Sequence, residues 1–134
     1  MTQAVLPHLR APGRIINIGS TLARVANPGL SVYSATKAAL EALSRGWAAE
    51  LGAQGHTVNV VAPALTETDM MTDAGAGVGA GFEQLLQMQR MMTPLEHRLG
   101  KAEDIALAVA VVAEPASRWI TGQTIQAGGG IYMS

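Results

Sequence analysis

Asn17-Ile18-Gly19-Ser20, followed one connection later by Tyr33-Ser34-Ala35-Thr36-Lys37-Ala38-Ala39-Leu40, is the stretch on which the fold turns. Upstream of it, Arg14 to Ile18 is a short β-branched run after Ala11-Pro12-Gly13, which predicts a buried strand. Downstream, Val32 to Leu51 is rich in Ala and Leu and lacks Pro. Ala39, Leu40, Leu43 and Trp47 recur there at helical spacing, which predicts a helix closed by the turn from Gly52 to Gly55. Thr57 to Val61 reads as a second strand that ends at Pro63. Ala102 to Glu114 reads as a second helix, with Asp104 in its first turn and Pro115 past its end. Thr124 to Ala127 follows Gly122 as a third short strand. Strand, helix, strand, long insertion, helix, strand is the pattern of an α/β chain with a parallel sheet of about three strands and flanking helices. A sheet that small leaves the first strand as an open edge, so a neighbour for it is expected from outside these residues.

Composition narrows the function classes. Of 134 residues, 49% are hydrophobic and 14% charged, the balance of a packed globular protein rather than a disordered one. A formal net charge of −1 offers no electrostatic case for nucleic acid or an anionic membrane as partner. The chain has no cysteine, which excludes disulfides, thiolate metal sites and a cysteine nucleophile and suits a reducing cytoplasm. The N-terminus lacks the basic run and apolar core of a secretory signal. The apolar run from Ala106 to Ala113 is far shorter than the roughly 20 residues a membrane helix needs.

Tyr33 and Lys37 carry the candidate chemistry. Spaced four apart at the start of the predicted helix, they share one face. A phenol titrates near pH 10, and a neighbouring ammonium favours its ionised form, which brings proton exchange with an alcohol or alkoxide closer to neutral pH. A Tyr-x-x-x-Lys pair alone is a weak signal, equally produced by an ordinary helix surface. Ser20, ending the preceding strand, changes its weight.

Serine after a strand, then Tyr-Ser-Ala-Thr-Lys-Ala-Ala opening the next helix, resembles the short-chain dehydrogenase/reductase family, in particular its 3-oxoacyl-acyl-carrier-protein reductase type. Further landmarks fall in that family's order across nearly the whole chain. They are Val58-Asn59-Val60-Val61-Ala62-Pro63, Arg98-Leu99-Gly100 with Glu103-Asp104-Ile105-Ala106, and Ile120-Thr121-Gly122-Gln123 with Gly128-Gly129-Gly130. The resemblance implies the C-terminal part of a Rossmann-like, doubly wound parallel sheet. It also implies reversible hydride transfer between NAD or NADP and a small-molecule carbonyl or alcohol substrate. Tyr33 would be the acid–base group, Lys37 its electrostatic partner and a ligand of the nicotinamide ribose, and Ser20 a hydrogen-bond donor to the substrate oxygen. Pro63, Ala64, Thr66 and Thr68 would line the nicotinamide, Thr68 through its side chain and Thr66 through its backbone. A homodimer or homotetramer is implied too, with the Tyr33 helix and the closing helix and strand at its interfaces.

Departures from the family pattern matter equally. The glycine-rich pyrophosphate turn, the residue that selects NAD or NADP, and the asparagine of the catalytic tetrad all belong to a half that would precede Met1. Residues 1–134 therefore read as a partial domain, its catalytic half. Gly75-Ala76-Gly77-Val78-Gly79-Ala80-Gly81 fits no Gly-x-Gly-x-x-Gly window, and residues 66–99 read instead as a lid or substrate-loop insertion. Ala64 stands in place of the family's usual glycine and is expected to crowd the backbone near the nicotinamide. Gln126-Ala127 replaces the usual Val-Asp. His8, His56 and His97 are scattered without ligand spacing, so no metal site is expected. Met70, Met71, Met88, Met91 and Met92 suit either an apolar substrate pocket or a core stripe, and Trp47 and Trp119 suit packing. Two functions stay open: a nicotinamide-dependent oxidoreductase, or a catalytically inactive remnant that only folds or oligomerises.

Overall fold

The computed structural model describes residues 1–69, 71 and 80–133. After a short helix α1 (Thr2–Val5) the chain enters β1 (Arg14–Ile18), crosses through the long helix α2 (Ser31–Leu51) and returns as β2 (Thr57–Pro63). It then passes β3 (Thr66–Glu67), α3 (Ala80–Met92), β4 (Gly100–Lys101) and α4 (Ala102–Ala113), and ends in β5 (Thr124–Ala127). The fold is α/β with a parallel sheet in the order β1-β2-β5. Register runs from Arg14 opposite Thr57 to Ile18 opposite Val61, and from Val60 opposite Thr124 to Pro63 opposite Ala127. Both crossovers return the chain in the same direction, as parallel pairing requires.

β2 is the centre of the molecule: Val58, Val60, Val61 and Ala62 are at most 1% exposed. Val58 packs with Ala48 and Leu51 of α2, and Leu6, Ile15 and Trp47 close over them. Asn59 is the exception in this apolar run and explains itself by its bonds. Its side chain donates to the Ile120 carbonyl at 2.8 Å and accepts from the Gln123 amide at 3.1 Å, guiding the chain into β5. Gly19, just past β1, lies so close to β2 that a Cβ there would sit 2.5 Å from a Val60 methyl.

The buried face of α2 is not the one its apolar periodicity suggests. Leu43 is exposed and so is Ala39, whereas the buried positions are Glu41, Ser44, Ala48 and Leu51. With Lys37 they form one stripe at helical spacing whose chemistry changes from charged, through hydroxyl, to apolar along the helix. The apolar positions at 39 and 43 are left facing outward within this chain. Trp119 also departs from expectation: it is almost wholly exposed rather than packed. Trp47 packs against the core as expected.

At the base of the 66–99 insertion, β3 pairs in parallel with β4 just beyond it, Thr66 opposite Gly100, so the connection is closed by a small second sheet that the sequence pattern does not announce. Met88, Met91 and Met92 are exposed on α3. Met70 and the glycine run from 75 to 79 lie outside the described residues. No described helix is long and apolar enough to cross a membrane.

Candidate active site

β1 and α2 place the candidate residues. Ser20 is the first residue of a turn, buried at the C-terminal end of β1, and caps the 3-10 helix Thr21–Ala23 by accepting a hydrogen bond from the Leu22 amide at 3.2 Å. Tyr33 lies in the first turn of α2 and is 42% exposed, so its phenol opens to solvent rather than to the core. One turn on, Lys37 points back to the sheet. Its ammonium donates to the Ile18 carbonyl at 2.9 Å and sits 5.7 Å from the centroid of the Tyr33 ring.

The Ile18 carbonyl is available for a structural reason. Thr57 bonds to the carbonyl of Gly13 and the Gly19 amide to the carbonyl of Val61, so alternate residues of β1 direct their backbone toward β2. Arg14, Ile16 and Ile18 direct theirs to the open edge. Lys37 therefore satisfies one group of an edge that no other strand pairs among the described residues, and is itself held next to Tyr33. One further bond ties β1 to α2, and a second fixes its acceptor. The Asn17 amide donates to the Ser44 hydroxyl at 2.8 Å, and that hydroxyl donates to the Leu40 carbonyl at 2.8 Å. Arg24, at the end of the Ser20 turn, pairs with buried Glu41 at 3.0 Å.

The second group of candidates follows β2. Pro63 is the last residue of the strand, and Ala64 donates its amide to the Ala127 carbonyl at 3.4 Å. Thr66 is half-buried and its hydroxyl donates to the Ala64 carbonyl at 2.9 Å, while Thr68 is exposed and its carbonyl accepts from the Met71 amide. The methyl of Ala64 faces Gly128, where an added Cβ would lie 2.9 Å away. The bulk gained at residue 64 is thus accommodated by a glycine across β5.

A cavity of about 250 Å3 lies beside this second group, lined by Ala64, Leu65, Thr93, Arg98, Gln126 and Gly129 among others. Neither Ser20, Tyr33 nor Lys37 lines it, so cavity size and candidate chemistry point to different places. The cavity's polar wall is structural: Arg98 holds Asp104 through two hydrogen bonds of 2.6 and 3.1 Å and Glu96 through one of 2.6 Å. Asp104 also accepts from the Lys101 amide at 2.7 Å, capping α4. These donors, Arg98 foremost, hold the Asp104 carboxyl down at about 2. An ion pair already closed on itself has no unspent charge for a substrate, so the Ser20–Tyr33–Lys37 region is the better chemical candidate.

No cluster of three potential metal ligands occurs among the described residues. His56 has a packing role, accepting from the Gly13 amide at 3.0 Å while buried. Sequence reasoning missed Asn17, Arg24, Glu41 and Ser44. A glutamate four residues after a lysine in an Ala/Leu-rich helix reads as a solvated ion pair, and only the sheet's position reveals that it is buried.

Comparison with known proteins supports the fold and shows the family. A family model described as enoyl-(acyl carrier protein) reductase matches residues 1–132. The chain is 48% identical over 134 residues to the dehydrogenase OXI1 of Cochliobolus heterostrophus, covering 99% of this chain and 56% of that protein. It is 43% identical over 122 residues to the 3-oxoacyl-[acyl-carrier-protein] reductase FabG of Pseudomonas aeruginosa, covering 91% of this chain and 46% of that one. Among solved structures it resembles a gluconate 5-dehydrogenase from Burkholderia cenocepacia crystallised with NADP and tartrate. The TM-score is 0.85 at 32% identity, covering 97% of this chain and 49% of the other. The chain thus spans about half the length of the curated relatives it matches.

Proposed function

Because the chain belongs to the short-chain dehydrogenase/reductase family, we propose that it carries the proton-transfer half of a nicotinamide-dependent oxidoreductase site acting on a small carbonyl or alcohol substrate. The observation that carries this reading is the Lys37 ammonium anchored on the Ile18 carbonyl beside the Tyr33 ring, at the strand end that also bears Ser20. Tyr33 exchanges the proton with the substrate oxygen, its phenol reaching solvent from the first turn of α2. Ser20 donates to the same oxygen and stabilises the charge that develops there. Lys37 places a positive charge beside the phenol and, with the N–H groups not spent on Ile18, binds the ribose.

The residues present fit the nicotinamide end of NAD or NADP. Lys37 has donors to spare, and Pro63, Ala64, Thr66 and Thr68 run in sequence from the end of β2. The bound nicotinamide supplies or accepts the hydride. These 134 residues contain no glycine-rich turn for the pyrophosphate, so they supply one part of the cofactor's contacts. Residues 66–99 act as the substrate lid, with the Thr66–Gly100 pairing as its base. The chain works in the cytoplasm as part of a homodimer or homotetramer, a role suited to the exposed apolar positions of α2 and to Trp119.

The test titrates NADPH and NADH separately into the protein by nicotinamide fluorescence, followed by turnover of a panel of carbonyl substrates. Saturable binding that weakens in Lys37→Ala, with turnover falling about 10²–10⁴-fold in Tyr33→Phe, is the expected result. A folded chain that binds neither cofactor overturns the reading in favour of an inactive remnant.

A further inference from the structure

We propose that the Arg24–Glu41 ion pair positions Ser20 against the Tyr33–Lys37 helix, an inference that rests on the reading of those three residues as the reacting set. Glu41 lies in the middle of α2 and is 5% exposed. Its Oε2 accepts from Arg24 Nε at 3.0 Å, Arg45 one turn on stands 3.9 Å away, and its Oε1 is buried without a hydrogen-bond partner. A carboxylate held in this way is a poor source of stability. Burial removes its hydration, and replacing a whole buried ion pair by apolar side chains of similar volume is often neutral or stabilising. A charge at this position makes sense where direction matters more than energy.

What the pair directs is the turn that begins with Ser20. Arg24 closes the 3-10 helix Thr21–Ala23, its amide bonded to the Thr21 carbonyl, and Ser20 opens it. Ser20 is therefore bracketed along the chain. On one side the Ile18 carbonyl is held by Lys37, and on the other Arg24 is held by Glu41. Lys37 and Glu41 are one helical turn apart on the buried stripe of α2. Two tethers from one helix to both ends of a short segment fix its translation and its rotation together. Without the Arg24–Glu41 tether the turn is held at its Gly19 end, by Val61 and through Lys37 on Ile18, and can shift as a unit relative to Tyr33. Arg24 and Glu41 act through the Ser20 turn rather than on the reacting atoms, so they are positioning residues.

The experiment compares the whole chain with Glu41→Leu, Arg24→Met, Arg24→Lys and the double variant Arg24→Met/Glu41→Leu. Two readouts are used: the split between kcat and KM in carbonyl reduction, and hydrogen exchange at the Leu22 amide, which Ser20 caps. In Glu41→Leu and Arg24→Met the expected result is a kcat lower by about 10–100-fold, the scale of a misplacement near 1 Å. KM for the cofactor stays within about twofold, Leu22 exchange accelerates at least about tenfold, and Tm does not fall in the double variant, which removes both charges together. Arg24→Lys, which keeps the charge, recovers part of kcat. Unchanged kcat and unchanged Leu22 exchange in a folded variant overturn the proposal, as does a loss of kcat matched by an equal loss of thermal stability. If a single variant fails to fold, the double variant Arg24→Met/Glu41→Leu carries the test, because it leaves no buried charge without its partner. If the unmodified chain shows no turnover, the functional reading fails by itself, and Leu22 exchange alone decides whether the ion pair holds the Ser20 turn.

Discussion

β2 and β1 are neighbours in one sheet with similar β-branched sequences, yet β2 is sealed and β1 is half-open. β2 has a strand on each side, α2 over Val58 and five residues at most 1% exposed. Among the described residues β1 has one partner strand, it holds no fully buried residue, and Ile18 is 46% exposed. The framework is thus held by packing, which is non-directional, whereas the candidate site hangs on the less buried strand. There, alignment depends on directional links: Lys37 to Ile18, Asn17 to Ser44, Arg24 to Glu41. Packing supplies stability at β2 and point contacts supply geometry at β1.

The contrast is sharpest for apolar truncation. Val58→Ala removes two methyl carbons at about 0.8 kcal/mol each and leaves a cavity, for a total loss of about 2–3 kcal/mol. Ile16→Ala on β1 removes more carbon from a half-buried site and is expected to cost less. Urea unfolding of the two variants side by side measures the difference, and equal losses break the comparison. A smaller effect is expected from Asn17→Ala, about 1 kcal/mol, since the Ser44 hydroxyl keeps its bond to the Leu40 carbonyl. Denaturant midpoints give this value, and a loss as large as that of Val58→Ala would show that β1 is held by more than its point links.

The smallest effect belongs to the solvent-facing pair of Arg98 and Asp104. Its Asp104 carboxyl, lowered from 3.8 to about 2, is charged more readily folded than unfolded. The stabilisation is therefore complete above the unfolded value, and is lost as pH falls from about 3.8 through about 2. Asp104→Asn should lower Tm slightly at neutral pH and hardly at all at pH 2, and added salt should shrink the gap. A difference that persists at pH 2 would assign the effect to the cap on α4 rather than to charge.

Part of this organisation was legible in the linear chain. β-branched runs marked all three strands of the main sheet. Proline and glycine marked the ends of α2 and α4, and Ser20, Tyr33 and Lys37 stood in recognisable order. The two-residue pairing of β3 with β4 was invisible because strands that short carry no periodicity. The covered face of α2 was not legible either, for a related reason. Leu43 and Ala39 look like core residues, but the sheet lies against Glu41, Ser44, Ala48 and Leu51. Apolar spacing reports that a helix has a non-polar side, and says nothing of which surface covers it.

Local sequence determined the elements, their order and the chemical groups at the candidate site, because backbone propensity, helix-ending residues and side-chain chemistry act over a few neighbouring residues. Only the tertiary structure decided that the Ile18 carbonyl faces an open edge where Lys37 can hold it, and that a mid-helix glutamate is buried against the turn of Ser20. Both depend on how a strand and a helix distant in sequence are set against each other, and that setting comes from parallel pairing with β2 and burial of Val58, Ala48 and Leu51.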